Sequence, residues 1–271
     1  MESQSITKKE ALAVKSLWNS FKIAFAMFSK IPMPQADWTE ENMRYMLCFF
    51  PFVGFAAGVL TLVVDWLGEY FGFGTGFTAV ALILVPVLVT GGIHVDGLLD
   101  TSDALSSWRD REKRLEILKD SHAGAFAVIT ACVYFLVLYG GFSQIVGNRT
   151  AIKILAFGYM VSRCFSGIGV ITLPKANAGG TVAEFSRKAQ DQTVRNTLVV
   201  YLVILAVGMI LIQPVYGVVT FITAVIVFAF YKHKAMKYFG GTTGDLSGYF
   251  LCLCEAWTVL VLAVLTVVCP T

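Results

Sequence analysis

Runs of about twenty apolar residues follow one another along almost the whole chain, and that succession constrains the fold more than any motif. Each is long enough to cross a hydrocarbon core of about 30 Å as a helix. Spans are expected at 43–67, 77–92, 123–141, 152–173, 197–212, 214–231 and 249–268. Composition agrees: of 271 residues, 56% are hydrophobic and 14% charged, whereas a soluble domain carries roughly a quarter charged. The mean hydropathy is +0.71. The expected fold is all-α: one membrane-embedded domain over 1–271, a polytopic helical bundle of about seven spans occupying 43–268.

The N-terminal stretch 8–30 has Leu12, Leu17, Phe21, Phe25 and Phe28 on one side, with Lys15 and Lys22 elsewhere. This pattern suits an amphipathic helix in the membrane interface, ended by Pro32 and Pro34. It has no compact apolar core with a cleavage site, so it does not read as a removable signal peptide. The six cysteines fall nearly all in apolar runs without a CxxC pair and read as small buried hydrophobes.

Lysine and arginine placement orients the bundle. Lys8, Lys9, Lys15, Lys22, Lys30 and Arg44 precede or open the first span. Arg109, Arg111, Lys113, Arg114 and Lys119 lie between the second and third. Lys175, Arg187, Lys188 and Arg195 separate the fourth and fifth, and Lys232, Lys234 and Lys237 the sixth and seventh. With seven spans these 18 of 21 basic residues share one side, and only Arg149 and Lys153 face the other. The basic side is expected to be cytoplasmic, with the N-terminus inside and the C-terminus outside. Asp65, near the outer end of the first span, is expected to be solvated.

The polar motifs gather on the same side. Asp96, Asp100 and Asp103 stand at i, i+4 and i+7, so a helix presents all three on one face. Unpaired carboxylates on adjacent turns repel, and a hard divalent cation is the simplest relief. If the second span runs straight into this stretch, its negative dipole end reinforces the cation site. The spans that begin near Ser121–Gly124 and Asp245–Gly248 would present free N–H groups and glycines, which favour phosphate. Asp245 reads equally as the N-cap of the last span, and the Arg109–Lys119 segment as an interfacial helix against anionic headgroups. Arg163 and Glu255 lie inside apolar runs, where a charge needs a partner or a wet cavity. Carboxylates for metal beside helix ends for phosphate suit phosphoryl transfer. No GxSxG motif, P-loop or activated cysteine is present, and nothing indicates a nucleic-acid partner.

Several blocks resemble bacterial cobalamin synthase, the adenosylcobinamide-GDP ribazoletransferase family. The stretch from Gly91 to Asp103 is similar to its signature. Asp110–Ser121 followed by Gly124, Ala125 and Phe126 resembles its next block, and Gly240–Asp245 with Gly248 its C-terminal one. Pro32-Met33-Pro34 and Phe50–Gly54 resemble its N-terminal features, while His122 departs from the pattern. The resemblance implies an inner-membrane enzyme joining α-ribazole or its 5′-phosphate to adenosylcobinamide-GDP, releasing GMP and needing Mg²⁺. It implies a catalytic and metal-binding role for Asp96, Asp100 and Asp103, with Asp120 or Asp245 completing the metal site. His94, Lys119, Ser121, Gly124, Arg163, Gly241, Thr243, Gly244 and Glu255 are the expected substrate-binding residues, around a wide cavity suited to a corrinoid. The oligomeric state is left open. Two rival readings are a CDP-alcohol phosphotransferase, whose DGxxAR motif is interrupted here by Leu98-Leu99-Asp100, and a small-solute or ion transporter.

Overall fold

The computed structural model describes residues 2–120, 122–177, 179, 187 and 189–270, with side chains from Val14 onward. Among them the chain forms α1 (Glu2–Phe28), α2 (Glu40–Met43), α3 (Met46–Phe71), α4 (Thr75–Thr90), α5 (Ile93–Ser106) and α6 (Arg111–Ile117). There follow α7 (Ala125–Ile145), α8 (Arg149–Thr172), α9 (Asp191–Ile212), α10 (Pro214–Lys234), a π-turn (Ala235–Phe239) and α11 (Gly244–Val268). No strand occurs among the described residues. Six helices, α3, α7, α8, α9, α10 with its π-turn, and α11, are each long and apolar enough to cross a membrane. The expected bundle is therefore present, and α11 begins one turn earlier than its apolar run suggested.

The second expected span is not straight. Gly91 and Gly92 both adopt left-handed backbone, with φ of 66° and 82°, a conformation that costs glycine nothing and L-residues much. α4 stops there and α5 leaves at 92°. The acidic ladder thus does not sit on the negative end of a continuous span. It lies on a separate helix turned across the end of the bundle, with Asp96 in that helix's first turn. This corrects the dipole argument, because Asp96 stands near the positive end of α5.

Helix α8 is the centre, packed against α3, α9, α10 and α11 and buried along most of its length. The apolar face of α1 lies on α3, where Phe28 meets Phe50 at 4.3 Å between ring centroids and Phe21 meets Phe49 at 5.8 Å. Lys22 turns inward from this helix and donates from Nζ to the Gln35 carbonyl at 2.9 Å.

Short connections at one end of the bundle, 72–74 and 146–148, contrast with the motif-bearing segments at the other. At the short-loop end Asp65 is buried and accepts from the Gly147 N–H at 3.1 Å. Burial against that loop, where solvation was expected, corrects the sequence reading. At the motif end the loops hold one another. The Thr242 N–H donates to Pro174 O at 2.8 Å, the Ala176 N–H to Thr242 O at 3.0 Å, and the Gln190 N–H to Arg44 O at 3.2 Å. Four cysteines are buried, but Cys132 is exposed on α7, against the expectation for that position.

Candidate active site

Two glycines create the site. α5 crosses the start of α11 where Gly97 faces the Asp245 backbone and Gly248 faces that of His94. A Cβ at Gly97 would stand 2.6 Å from Asp245 O, and one at Gly248 3.0 Å from His94 O. Small residues allow this close crossing of backbones. It sets Asp96 of α5 beside Asp245 of α11, on the rim of one cavity of about 210 Å³. Asp100 follows one turn later, half-buried. Burial, then the charges of Asp96, Asp245 and Asp103, push its carboxyl up to about 6. α5 turns away from α4 and meets the first turn of α11, so this cluster gathers at the motif-bearing end of the bundle.

Asp103, the last rung, has a definite occupation. Its Oδ2 accepts from the Gly124 N–H at 2.6 Å and its Oδ1 from the Ala127 N–H at 2.8 Å. The free N–H groups that open α7, expected to cradle phosphate, are answered by this carboxylate. Gly124 leaves room for Asp103: a Cβ there would meet both carboxylate oxygens at 2.8 Å.

At α11 the N-cap is Thr243, whose Oγ1 accepts from the Leu246 N–H at 3.1 Å. Asp245 sits in the first turn, so the N-cap reading of Asp245 gives way to Thr243. Gly244 lines the cavity. Gly241 is buried beneath the Pro174 carbonyl, so the close approach it permits is made by the chain itself.

His94 lines the cavity wall, 8% exposed, with its ring edge-on to Phe50 at 6.2 Å. Burial, and then the charge of Arg163, hold its imidazole well below the usual range and therefore neutral. Arg163 and Glu255 pair with each other inside the core. Arg163 Nη1 donates to Glu255 Oε1, to Tyr159 O at 3.0 Å and to Ser162 Oγ at 3.1 Å. Neither lines the cavity. The two charges answer each other, while Arg163 Nε and Nη2 are buried with no hydrogen-bond partner among the described residues.

The α6 side of the expected site is not drawn in. α6 buries none of its residues, and Lys119 is exposed. Asp120 is exposed and turned to His122, taking the His122 N–H at 3.0 Å and facing Nδ1 at 2.7 Å. Ser121 lies outside the described residues. Arg114 covers the Tyr238 ring at 4.8 Å. Among the described residues no set of three or more His, Cys, Asp or Glu side chains converges into a metal cage. The donor set still suits Mg²⁺, which is held through one or two carboxylates with waters and substrate phosphates supplying the rest.

Sequence reasoning did not foresee the cavity's apolar wall, formed by Phe28, Phe50, Val170 and Leu251 among others, or the polar Ser166 within it. These residues come from four helices far apart in sequence. Gly97 and Gly248 carried a readable signal, as glycines beside acidic residues inside helical patterns.

A family model described as cobalamin-5-phosphate synthase matches residues 20–263. The chain is 45% identical over 237 residues to an adenosylcobinamide-GDP ribazoletransferase of Lachnoclostridium phytofermentans, covering 88% of this chain and 90% of that one. A protein of the same name from Desulfitobacterium hafniense is 32% identical over 253 residues, covering 90% and 94%. One from Clostridium perfringens is 27% identical over 259 residues, covering 93% and 100%. No solved structure matches. With the match running through the α5 ladder and the α5–α11 crossing, this chain belongs to the cobalamin-5-phosphate synthase family.

Proposed function

We propose that this chain joins α-ribazole, or its 5′-phosphate, to adenosylcobinamide-GDP and releases GMP, at the cytoplasmic face of the inner membrane. The reading is supported by the family and by the names of the relatives. The observation that carries it is the gathering of Asp96, Asp100 and Asp245 where α5 crosses the first turn of α11. Lysine and arginine asymmetry supports the orientation, with the N-terminus inside.

In this reaction a ribose hydroxyl attacks the phosphorus bonded to the cobinamide side chain, and GMP leaves. Asp96, Asp100 and Asp245 would hold Mg²⁺, which would neutralise the diphosphate and the charge developing on the leaving phosphate. Asp103 positions rather than reacts: by accepting from Gly124 and Ala127 it ties α5 to α7 and fixes the ladder. Gly97 and Gly248 keep the two acidic helices in register. The corrinoid, too large for the cavity, stays on the open side of the carboxylates.

The test is direct. Purified protein in lipid nanodiscs, given adenosylcobinamide-GDP, α-ribazole and MgCl₂, should release GMP only when all three are present. Asp96→Asn or Asp100→Asn should lower turnover at least about 100-fold, because each removes a ligand of the metal that would neutralise the diphosphate. Turnover near wild type in both variants would remove the metal assignment.

A further inference from the structure

The cavity beside Asp96 and Asp245 has a character that phosphoryl chemistry alone does not require. Phe28 of α1, Phe50 of α3, Val170 of α8 and Leu251 of α11 give it apolar walls. Three uncharged polar side chains line this apolar space: Ser247, which donates to Thr243 O at 2.9 Å, His94, 8% exposed, and Ser166, 2% exposed. Among the described residues neither the His94 nor the Ser166 side chain has a hydrogen-bond partner. Their polar atoms are accessible from the cavity rather than sealed in the core, so a ligand that enters can pair both, as polar groups at this depth generally are.

We infer that the cavity receives the planar heteroaromatic base of the nucleoside substrate, with His94 and Ser166 hydrogen-bonding its ring edge. The inference rests on the proposed reaction and assigns one half of one substrate to a named subsite. Size supports it. At about 210 Å³ the cavity is below the roughly 300–1,000 Å³ that holds drug-sized ligands. It accepts one small ring system and excludes a corrinoid or a whole nucleotide. Shape and charge agree. Phe28 and Phe50 pack on each other at 4.3 Å and together form one aromatic side of the cavity. Among the described residues no Lys or Arg lines it, while two carboxylates do, which disfavours a phosphate inside. A lipid acyl chain would fill the walls but leave His94 and Ser166 unpaired. With the base inside, the ribose emerges between Asp96 and Asp245, and its reacting hydroxyl meets the carboxylates that the reaction needs.

The experiment uses the full chain in nanodiscs with α-ribazole alone as the probe, followed by calorimetry, and then steady-state kinetics with both substrates. His94→Phe keeps the ring and removes its nitrogens. It should weaken α-ribazole binding about tenfold, the worth of a lost buried hydrogen bond. It should raise the KM for the nucleoside similarly while the KM for adenosylcobinamide-GDP stays put, and His94→Gln should recover part of the loss. Val170→Phe, which fills the cavity, should abolish detectable α-ribazole binding. Wild-type nucleoside affinity and KM in both variants would overturn the subsite, and equal shifts in both substrates' KM would do the same by exposing a merely structural wall. If the wild-type chain releases no GMP, the reaction falls and takes the inference with it. GMP release with an unmoved nucleoside KM removes the subsite alone.

Discussion

Replacing Asp103 separates its structural work from direct metal chemistry. Its two oxygens accept from the Gly124 and Ala127 N–H groups at 2.6 and 2.8 Å. Gly124 is exposed, so water replaces its bond at little cost. Ala127 is 1% exposed, and Asp103→Ala leaves its N–H buried and unpaired, at about 1–3 kcal/mol. That same bond is the cap of α7, so about 2 kcal/mol of local stability is at stake. Asp103→Asn keeps one acceptor and loses the charge, and should cost about 1 kcal/mol. Hydrogen exchange by mass spectrometry in nanodiscs reads this at the start of α7. Since 1.4 kcal/mol is tenfold, the peptide from 124 to 130 should exchange about 30-fold faster in Asp103→Ala and about fivefold faster in Asp103→Asn. Exchange within threefold of wild type in Asp103→Ala, with turnover abolished, would refute the capping argument and return Asp103 to the metal.

Other outcomes follow from the same geometry. Gly97→Ala puts a Cβ 2.6 Å from Asp245 O, against about 3.4 Å for ordinary contact, so α5 must move by about 0.8 Å. A misplacement near 1 Å at a reacting site costs on the order of 100-fold, and a kcat within threefold of wild type would contradict it. Arg163→Met leaves Glu255 charged and unpaired in the core and should cost about 3–5 kcal/mol, whereas Arg163→Met with Glu255→Leu should recover most of it. Thermal unfolding of the three proteins checks the pattern. Asp100 carries a carboxyl raised from 3.8 to about 6, so its ionised form opposes the metal-free fold. That opposition is fully present above about pH 6 and is lost as pH falls through 6 toward 4. The EDTA-treated protein should therefore melt higher at pH 4.5 than at pH 7, and the Mg²⁺ needed for half-maximal GMP release should rise as pH drops below 6. A melting temperature flat across that window would discount Asp100 as the strained group.

Much of the site was readable because its signals are local. The spacing of Asp96, Asp100 and Asp103 holds on α5, and Thr243 and Gly244 open α11 at the motif end. Arg163 and Glu255 stood out as intramembrane charges, yet only packing revealed that they answer each other. Lys119 and Asp120 were singled out by adjacency to the motif, and adjacency in sequence did not bring their side chains to the ladder.

The sequence by itself determined that the chain is a helical bundle in a membrane, because an apolar run of spanning length admits few other solutions in lipid. It also grouped the acidic and glycine-rich motifs with most of the basic residues, because they share the same loops. Only the tertiary structure decided where each carboxylate points. Two left-handed glycines turn α5 by 92°, and two more let it cross α11 at near contact. Asp103 goes to the start of α7 and Asp96 to the mouth of a cavity, because those partners come from distant helices and depend on how closely backbones approach.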